Sequence, residues 1–394
     1  MNRKGDDFMK AITHNIVYKF VSLALAVAML FGIGSNCLKA DGSKWKTNYT
    51  YVFVHGRSGW GSYDEVYKLV PYWGILGGDL MEYLTTKGFH TYAASVAPTD
   101  SAWDRACELY AQLTGARVDY GKAHCERCGH ARFGEDFSGR ALIPAFSAKH
   151  KINLLGHSFG GATVRTFAAI MANGSAEEKK ATPKGELSPY FAGGKADWIY
   201  SLTTLAAPHN GTTAYCYEGD PEEERSLLQK LMGKFKTQKE PDRIESDSAD
   251  YDMVIDNALA LNKTLPISKN TYYFSFACSS TKKQADGTYV AINSKTEPMF
   301  RSSANRLGKL KGVTEGGAVY DESWRENDGL VNTISAKAPF GQPQQEYNSE
   351  NVPRGVWNVM PVVSGDHMSL EGGFMHAVDI KPFYLEHLNR INSL

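Results

Sequence analysis

Residues 152–161 read INLLGHSFGG. Four mostly apolar, β-prone residues run into Ser158, which has Gly156 two places before it and Gly160 two places after it. A chain of this pattern is driven into a strand that turns sharply into a helix, because only small neighbours let the backbone reverse so tightly around a raised serine. Ala162 to Met171 continues with helical spacing of apolar residues and stops at Asn173-Gly174. A strand–turn–helix unit of this kind belongs to an α/β layer architecture.

Other segments agree. Tyr51 to Val54 (YVFV) reads as a short buried strand ending in the glycine-rich loop His55-Gly56-Arg57-Ser58-Gly59-Trp60. Ser201 to Ala206 and Thr271 to Ala277 are further strands, and Lys381 to Leu394 forms a helix with Phe383, Leu385, Leu388 and Ile391 facing partly inward. Alternation of strand and helix predicts a mostly parallel central sheet flanked by helices. Two regions interrupt it: 98–139, rich in His, Cys and charge, and 212–266, with a strongly charged middle. The sequence has 394 residues, 42% of them hydrophobic, enough for a sizeable core. Basic and acidic residues number 43 each, so no global field would draw the chain to nucleic acid or an anionic membrane.

The first 40 residues carry a basic opening and a dense apolar run from Phe20 to Phe31, the pattern of a secretory signal peptide cleaved near Ala40. The run is shorter than the roughly 20 residues a span needs, so no stable membrane span is expected and the product is secreted. Gly34-Ser35-Asn36 is a poor lipoprotein box before Cys37, which disfavours a lipid anchor. After cleavage, 41–394 would form a single domain. It retains five cysteines, Cys107, Cys125, Cys128, Cys216 and Cys278, an odd number for an oxidising compartment.

Because Gly is 37 of the 394 residues, a bare Gly-x-Ser-x-Gly match does not by itself establish chemistry. A serine hydroxyl is a weak nucleophile and needs a histidine base and an orienting acid, in chain order Ser, Asp or Glu, His on such a fold. Among downstream histidines, His209 comes too early and His387 sits in the terminal helix, where a solvated surface role is expected. His367, in the loop Ser364-Gly365-Asp366-His367, suits a mobile base. Asp328, in Asn327-Asp328-Gly329 before the β-prone Leu330-Val331, is one candidate acid, and Asp-Gly is equally plain turn chemistry. The oxyanion would be held by the backbone N–H of Phe159 and by that of Arg57 in the loop after the first strand.

Taken together, GHSFGG, VHGRSGW, YWGILGGDL, WDRACELYAQL, VDYGKAH, GHARFG, AAPHNGTT, NTYYFSFA, WRENDGLVNT and GVWN, with the later DH, make the chain from about Tyr51 onward resemble the secreted bacterial lipases of the thermoalkalophilic Bacillus and Geobacillus type, with staphylococcal lipases as relatives. The resemblance implies an α/β-hydrolase that cleaves acylglycerol esters through an acyl-enzyme, with Ser158 as nucleophile, Asp328 as acid and His367 as base. Its substrate would be a lipid or ester, met at a lipid–water interface.

The same resemblance implies a structural zinc on Asp104, His124, His130 and Asp247. Spacing alone would leave two surface histidines in a polar loop. Two imidazoles and two carboxylates fill a closed tetrahedron with no corner for an activated water. Cys125 and Cys128 allow a small disulfide loop, a Cys2His2 site or idle thiols, and export favours the disulfide.

Three departures from the family pattern stand out. The segment Ala214 to Ser246 is about half the usual lid, although Leu227, Leu228, Leu231, Met232 and Phe235 keep helical spacing. Ser369 and Gly372-Gly373-Phe374 replace the residues of the family's calcium site, so calcium is not carried over. Arg57 replaces an aromatic residue, and its cation either reads an anionic head group or points to solvent while its N–H works. A carboxylesterase or phospholipase for shorter or charged esters, and a catalytically silent lipid-binding homologue, are the alternatives.

Overall fold

The computed structural model describes residues 42–216, 242–376 and 378–394. The signal-peptide segment and the apolar residues 227–235 of the shortened lid lie outside these. Seven strands form the central sheet: β1 (Thr50–Val54), β2 (Thr91–Ala94), β3 (Ile152–His157), β4 (Ile199–Leu205), β5 (Tyr272–Phe276), β6 (Gln344–Glu346) and β7 (Trp357–Val359). Their order across the sheet is β6-β7-β5-β4-β3-β1-β2, and every neighbouring pair is parallel. The four strands expected from the sequence form its centre; β2, β6 and β7, of three or four residues each, extend it to both edges.

Parallel strands need crossover helices, which cover both faces of the sheet. On one face lie α1 (Ala102–Thr114) and α2 (Gly160–Asn173), packed with Val52, Val54, Ile152, Leu154 and Leu202 into one core. On the other, α3 (Lys381–Asn392) packs with Tyr51, Phe53, Leu155, Phe274 and Phe276. Successive residues of β1 thus serve opposite layers, as the two-residue period of a strand requires.

The interruption at 98–139 is partly core. Its helix α1 is the crossover between β2 and β3, with Ala106, Cys107, Leu109 and Leu113 buried. The expectation for His387 is corrected: it is buried in α3, 2.9 Å from Thr203 Oγ1, because the helix turns that face toward β4. Leu330 and Val331 are buried but form no strand; they follow Asp328 in a turn whose amides point back at its carboxylate.

Among the described residues, no helix is long and apolar enough to cross a membrane.

Candidate active site and metal cluster

Ser158 sits at the end of β3 with φ of 52°, a left-handed conformation costly for a side-chain-bearing residue. Its N–H is fixed to Leu205 C=O at 2.8 Å. The flanking glycines are sterically required. A Cβ on Gly156 would come within 2.3 Å of Gly160 O, and one on Gly160 within 2.3 Å of Val54 O. Helix α2 starts directly behind, so its N-terminal dipole faces the serine.

The candidate base and acid come together from 39 positions apart: His367 Nδ1 donates to Asp328 Oδ2 at 2.9 Å. Both residues are buried. The other oxygen, Asp328 Oδ1, accepts the N–H groups of Leu330 (2.9 Å) and Val331 (2.7 Å). Asp328 C=O also accepts the His367 N–H at 2.9 Å. Burial opposes charge on His367, yet the carboxylate of Asp328, then Glu371 and Asp366, raise its pKa above the ordinary imidazole value. Asp366 has a separate task, accepting from Glu297 N, Met368 N and Ser369 Oγ.

The loop after β1 closes over the serine. A Cβ on Gly56 would be 2.7 Å from Ser158 Cβ. Gly56 N–H is committed to Tyr72 Oη at 3.0 Å and Ser58 N–H to Pro98 C=O at 2.8 Å, which leaves the Arg57 N–H between them as the oxyanion candidate. Beneath the loop, His55 is neutral: its pKa is lowered to about 3 by burial and by Arg105. Arg105 donates to His55 C=O and stacks over the Phe159 ring at 5.1 Å, buttressing both oxyanion candidates from behind.

The Arg57 side chain takes neither course the sequence left open. It lies against Asp250, Nε to Oδ1 at 2.7 Å and Nη2 to Oδ2 at 2.8 Å, with 14% of the side chain exposed. Tyr215 Oη donates to the same carboxylate at 2.5 Å. The cation is therefore neutralised by the Asp250 carboxylate.

Asp104, His124, His130 and Asp247 converge as expected, with one donor atom from each lying within 4.8 Å of all the others. His124 Nε2 is 3.0 Å from Asp104 Oδ1 and 3.6 Å from Asp247 Oδ1; His130 Nε2 is 3.8 Å from Asp104 Oδ2 and 3.3 Å from Asp247 Oδ2. The two that join His124 to Asp104 Oδ1 and His130 to Asp247 Oδ2, 3.0 and 3.3 Å, are close to the edge of a tetrahedron with arms of about 2.0–2.1 Å, roughly 3.3 Å. Asp104 Oδ1, His124 Nε2, His130 Nε2 and Asp247 Oδ2 are also buried without hydrogen-bonded partners, which fits donors turned toward a common ion. Arg243, which the sequence did not flag, lies against the same two carboxylates, 2.5 Å from Asp104 Oδ2 and 2.9 Å from Asp247 Oδ2, the oxygen that also faces His130.

The favoured disulfide is not formed. All five described cysteines are free thiols. Cys125 and Cys128 Sγ lie 3.7 and 3.8 Å from Nδ1 of His130 and His124 respectively, on the far side of the rings from the carboxylates. That placement also sets aside a Cys2His2 site. Glu297 Oε1 accepts three successive amides, from Phe374 and Met375 at 2.7 Å and His376 at 2.9 Å, clamping the segment after His367.

A serine raised where a central parallel strand turns into its helix, with an imidazole delivered by a late loop, is the arrangement of the α/β-hydrolases, and this chain is one. More narrowly, a family model for the lipase-like C-terminal domain matches residues 47–245 and 238–382, and the chain belongs to that family. It is 33% identical over 374 residues to Lipase 2 of Staphylococcus aureus, a match covering 85% of this chain and 52% of that protein. With the Lipase of Staphylococcus epidermidis it shares 32% over 365 residues, covering 84% and 51%. The chain thus spans about half the length of the curated relatives it matches. Among solved structures, EstA from Clostridium botulinum is 30% identical with a TM-score of 0.76, covering 91% of this chain and 90% of that one. Staphylococcus hyicus lipase is 26% identical with a TM-score of 0.74, covering 90% and 98%.

Proposed function

We propose that residues 41–394 form a single hydrolase domain that cleaves carboxylic esters of acylglycerols by a serine mechanism. The observation that carries this is the buried His367–Asp328 hydrogen bond, with the His367 ring 4.9 Å from that of His157, the residue before the strained Ser158. Ser158 Oγ attacks the ester carbonyl while His367 Nε2 takes its proton, and Asp328 orients the ring and stabilises the imidazolium. The Arg57 and Phe159 N–H groups receive the oxyanion. His367 then protonates the leaving alcohol, and water, deprotonated by the same nitrogen, releases the acid.

The names of the relatives, lipases and an esterase, support an ester substrate. The neutralised Arg57 speaks against a pocket built for charged esters, so the acylglycerol reading is preferred over the phospholipase one. We place a zinc ion on Asp104, His124, His130 and Asp247, where it would join the 98–139 region to the 212–266 excursion and supply structure, with four protein donors and no open corner. The apolar run at 20–31 supports export to the extracellular space.

Hydrolysis of tributyrin and of a long-chain triglyceride by wild type and Ser158→Ala tests the reading. Both substrates should be cleaved by wild type only. A rate confined to esters of butyrate or shorter makes the protein a carboxylesterase, and failure of an organophosphonate to label Ser158 in folded protein makes it a silent binder.

A further inference from the structure

Glu371 has no part in the ester chemistry above, yet it is buried, 1% exposed, four residues after His367. Its Oε1 is 2.7 Å from His157 Nδ1. Both its oxygens are buried without a well-aligned donor, a costly arrangement for an anion unless a neighbour shares its charge. The same His157 Nδ1 is 2.8 Å from Tyr72 Oη, which takes the Gly56 N–H. On the other side of the ring, His157 Nε2 is 2.9 Å from the backbone carbonyl of His367.

The protons follow from this geometry. A carbonyl only accepts, so Nε2 carries a hydrogen. With Nε2 protonated, Nδ1 and a carboxylate oxygen only 2.7 Å apart would set two lone pairs against each other unless the pair carries a further proton. Tyr72 keeps its own proton, because burial and the adjacent Glu371 push its phenol well above the ordinary value. The His157–Glu371 pair therefore holds one proton more than a neutral imidazole beside a carboxylate.

We propose that Glu371 and His157 form a second histidine–carboxylate pair that positions the catalytic groups without touching substrate. One end of the His157 ring fixes the backbone of His367, whose ring centroid lies 4.9 Å from its own. The other end, through Tyr72, fixes Gly56 next to the Arg57 N–H. His157 is itself the residue before Ser158, and the Glu371 carbonyl accepts Gly74 N–H at 2.8 Å, tying the same loop to the Tyr72 segment. Three segments that supply nucleophile, base and oxyanion donor are thus joined by one buried network. Without the charge of Glu371, His157 is neutral, its Nε2–H on the His367 carbonyl and its Nδ1 accepting from the Tyr72 hydroxyl, so both ends are held by neutral bonds weaker than the charge-assisted ones they replace.

This inference rests on the serine-hydrolase reading, and its test separates the two. In the isosteric Glu371→Gln variant, kcat for p-nitrophenyl butyrate should fall roughly 10- to 100-fold with KM within about twofold, the signature of misplaced groups. Organophosphonate labelling of Ser158 should slow by the same factor. In 15N-histidine-labelled protein one low-field imidazole proton resonance should vanish, while the one that depends on Asp328 remains. A folded Gln variant with wild-type kcat, or one that keeps both resonances, overturns the proposal. Should the Gln variant fail to fold, Tyr72→Phe replaces it, with the same fall in kcat expected at constant KM; a wild-type kcat in that variant overturns it too. Wild-type protein inert to both ester and phosphonate would instead remove the hydrolase reading and this inference with it.

Discussion

Asp328→Asn should abolish most activity while leaving the fold almost untouched, because the structure dictates which way the new amide points. In wild type, Oδ1 faces two backbone donors, Leu330 and Val331 N–H, and Oδ2 faces His367 Nδ1. An asparagine that put its NH2 toward the two amides would leave both buried donors unmade, at about 1–3 kcal/mol each. The carbonyl therefore takes the Oδ1 position and the NH2 faces His367. A donor there forces Nδ1 to accept and moves the imidazole proton to Nε2, the nitrogen that must be free to take the serine proton. The loss of kcat should be about 10⁴-fold, or about 5.4 kcal/mol at 1.36 kcal/mol per tenfold. The assay is steady-state hydrolysis of p-nitrophenyl butyrate across pH, with a thermal melt as control. Because the folded pKa of His367 is raised, the wild-type rate should fall as pH drops through a midpoint above 6.5, where the base becomes protonated. In the variant the midpoint of the residual rate should move down, since the carboxylate that favours the imidazolium is gone. A variant that retains a tenth or more of the wild-type kcat, or an unmoved acid limb, would refute the tautomer argument.

Two further outcomes are expected. Ser158→Gly should be inactive yet melt slightly higher than Ser158→Ala, by roughly 1–2 °C, since glycine relieves the positive φ at the elbow at a net gain of under about 1 kcal/mol after its greater unfolded-state entropy; equal or reversed melting points would show that the elbow stores no strain. Chelation should lower the melting temperature by roughly 3–4 °C, corresponding to about 2.7 kcal/mol for an ion held at a hundredfold excess over its dissociation constant, and Asp247→Asn should be insensitive to chelator. Identical melts on protein shown to have lost its metal would contradict the structural role.

What the sequence determined by itself was the part written in local pattern. The strand–turn–helix around Ser158 is legible because only glycine tolerates the 2.3 Å approaches at 156 and 160, and the inner strands because an apolar run of four to seven residues has few other uses. Local sequence had already offered His367 from its loop and Asp328 as one candidate acid among several; the long shared motifs singled out Asp328 and added the candidate metal donors Asp104, His124, His130 and Asp247, whose neighbours along the chain give no reason to choose them. Tertiary structure decided the rest. Glu371, Tyr72 and His157 come from three distant segments, and no spacing marks them as partners. His387 looks like a helix-surface residue until the sheet it packs on is known, and Arg57 looks free until Asp250 arrives from 193 positions away. The physical reason is the same in each case: strand and turn preferences are set by neighbours within a few residues, whereas the charge state and hydrogen-bond partners of a buried side chain are set by whichever segments the closed core presses against it.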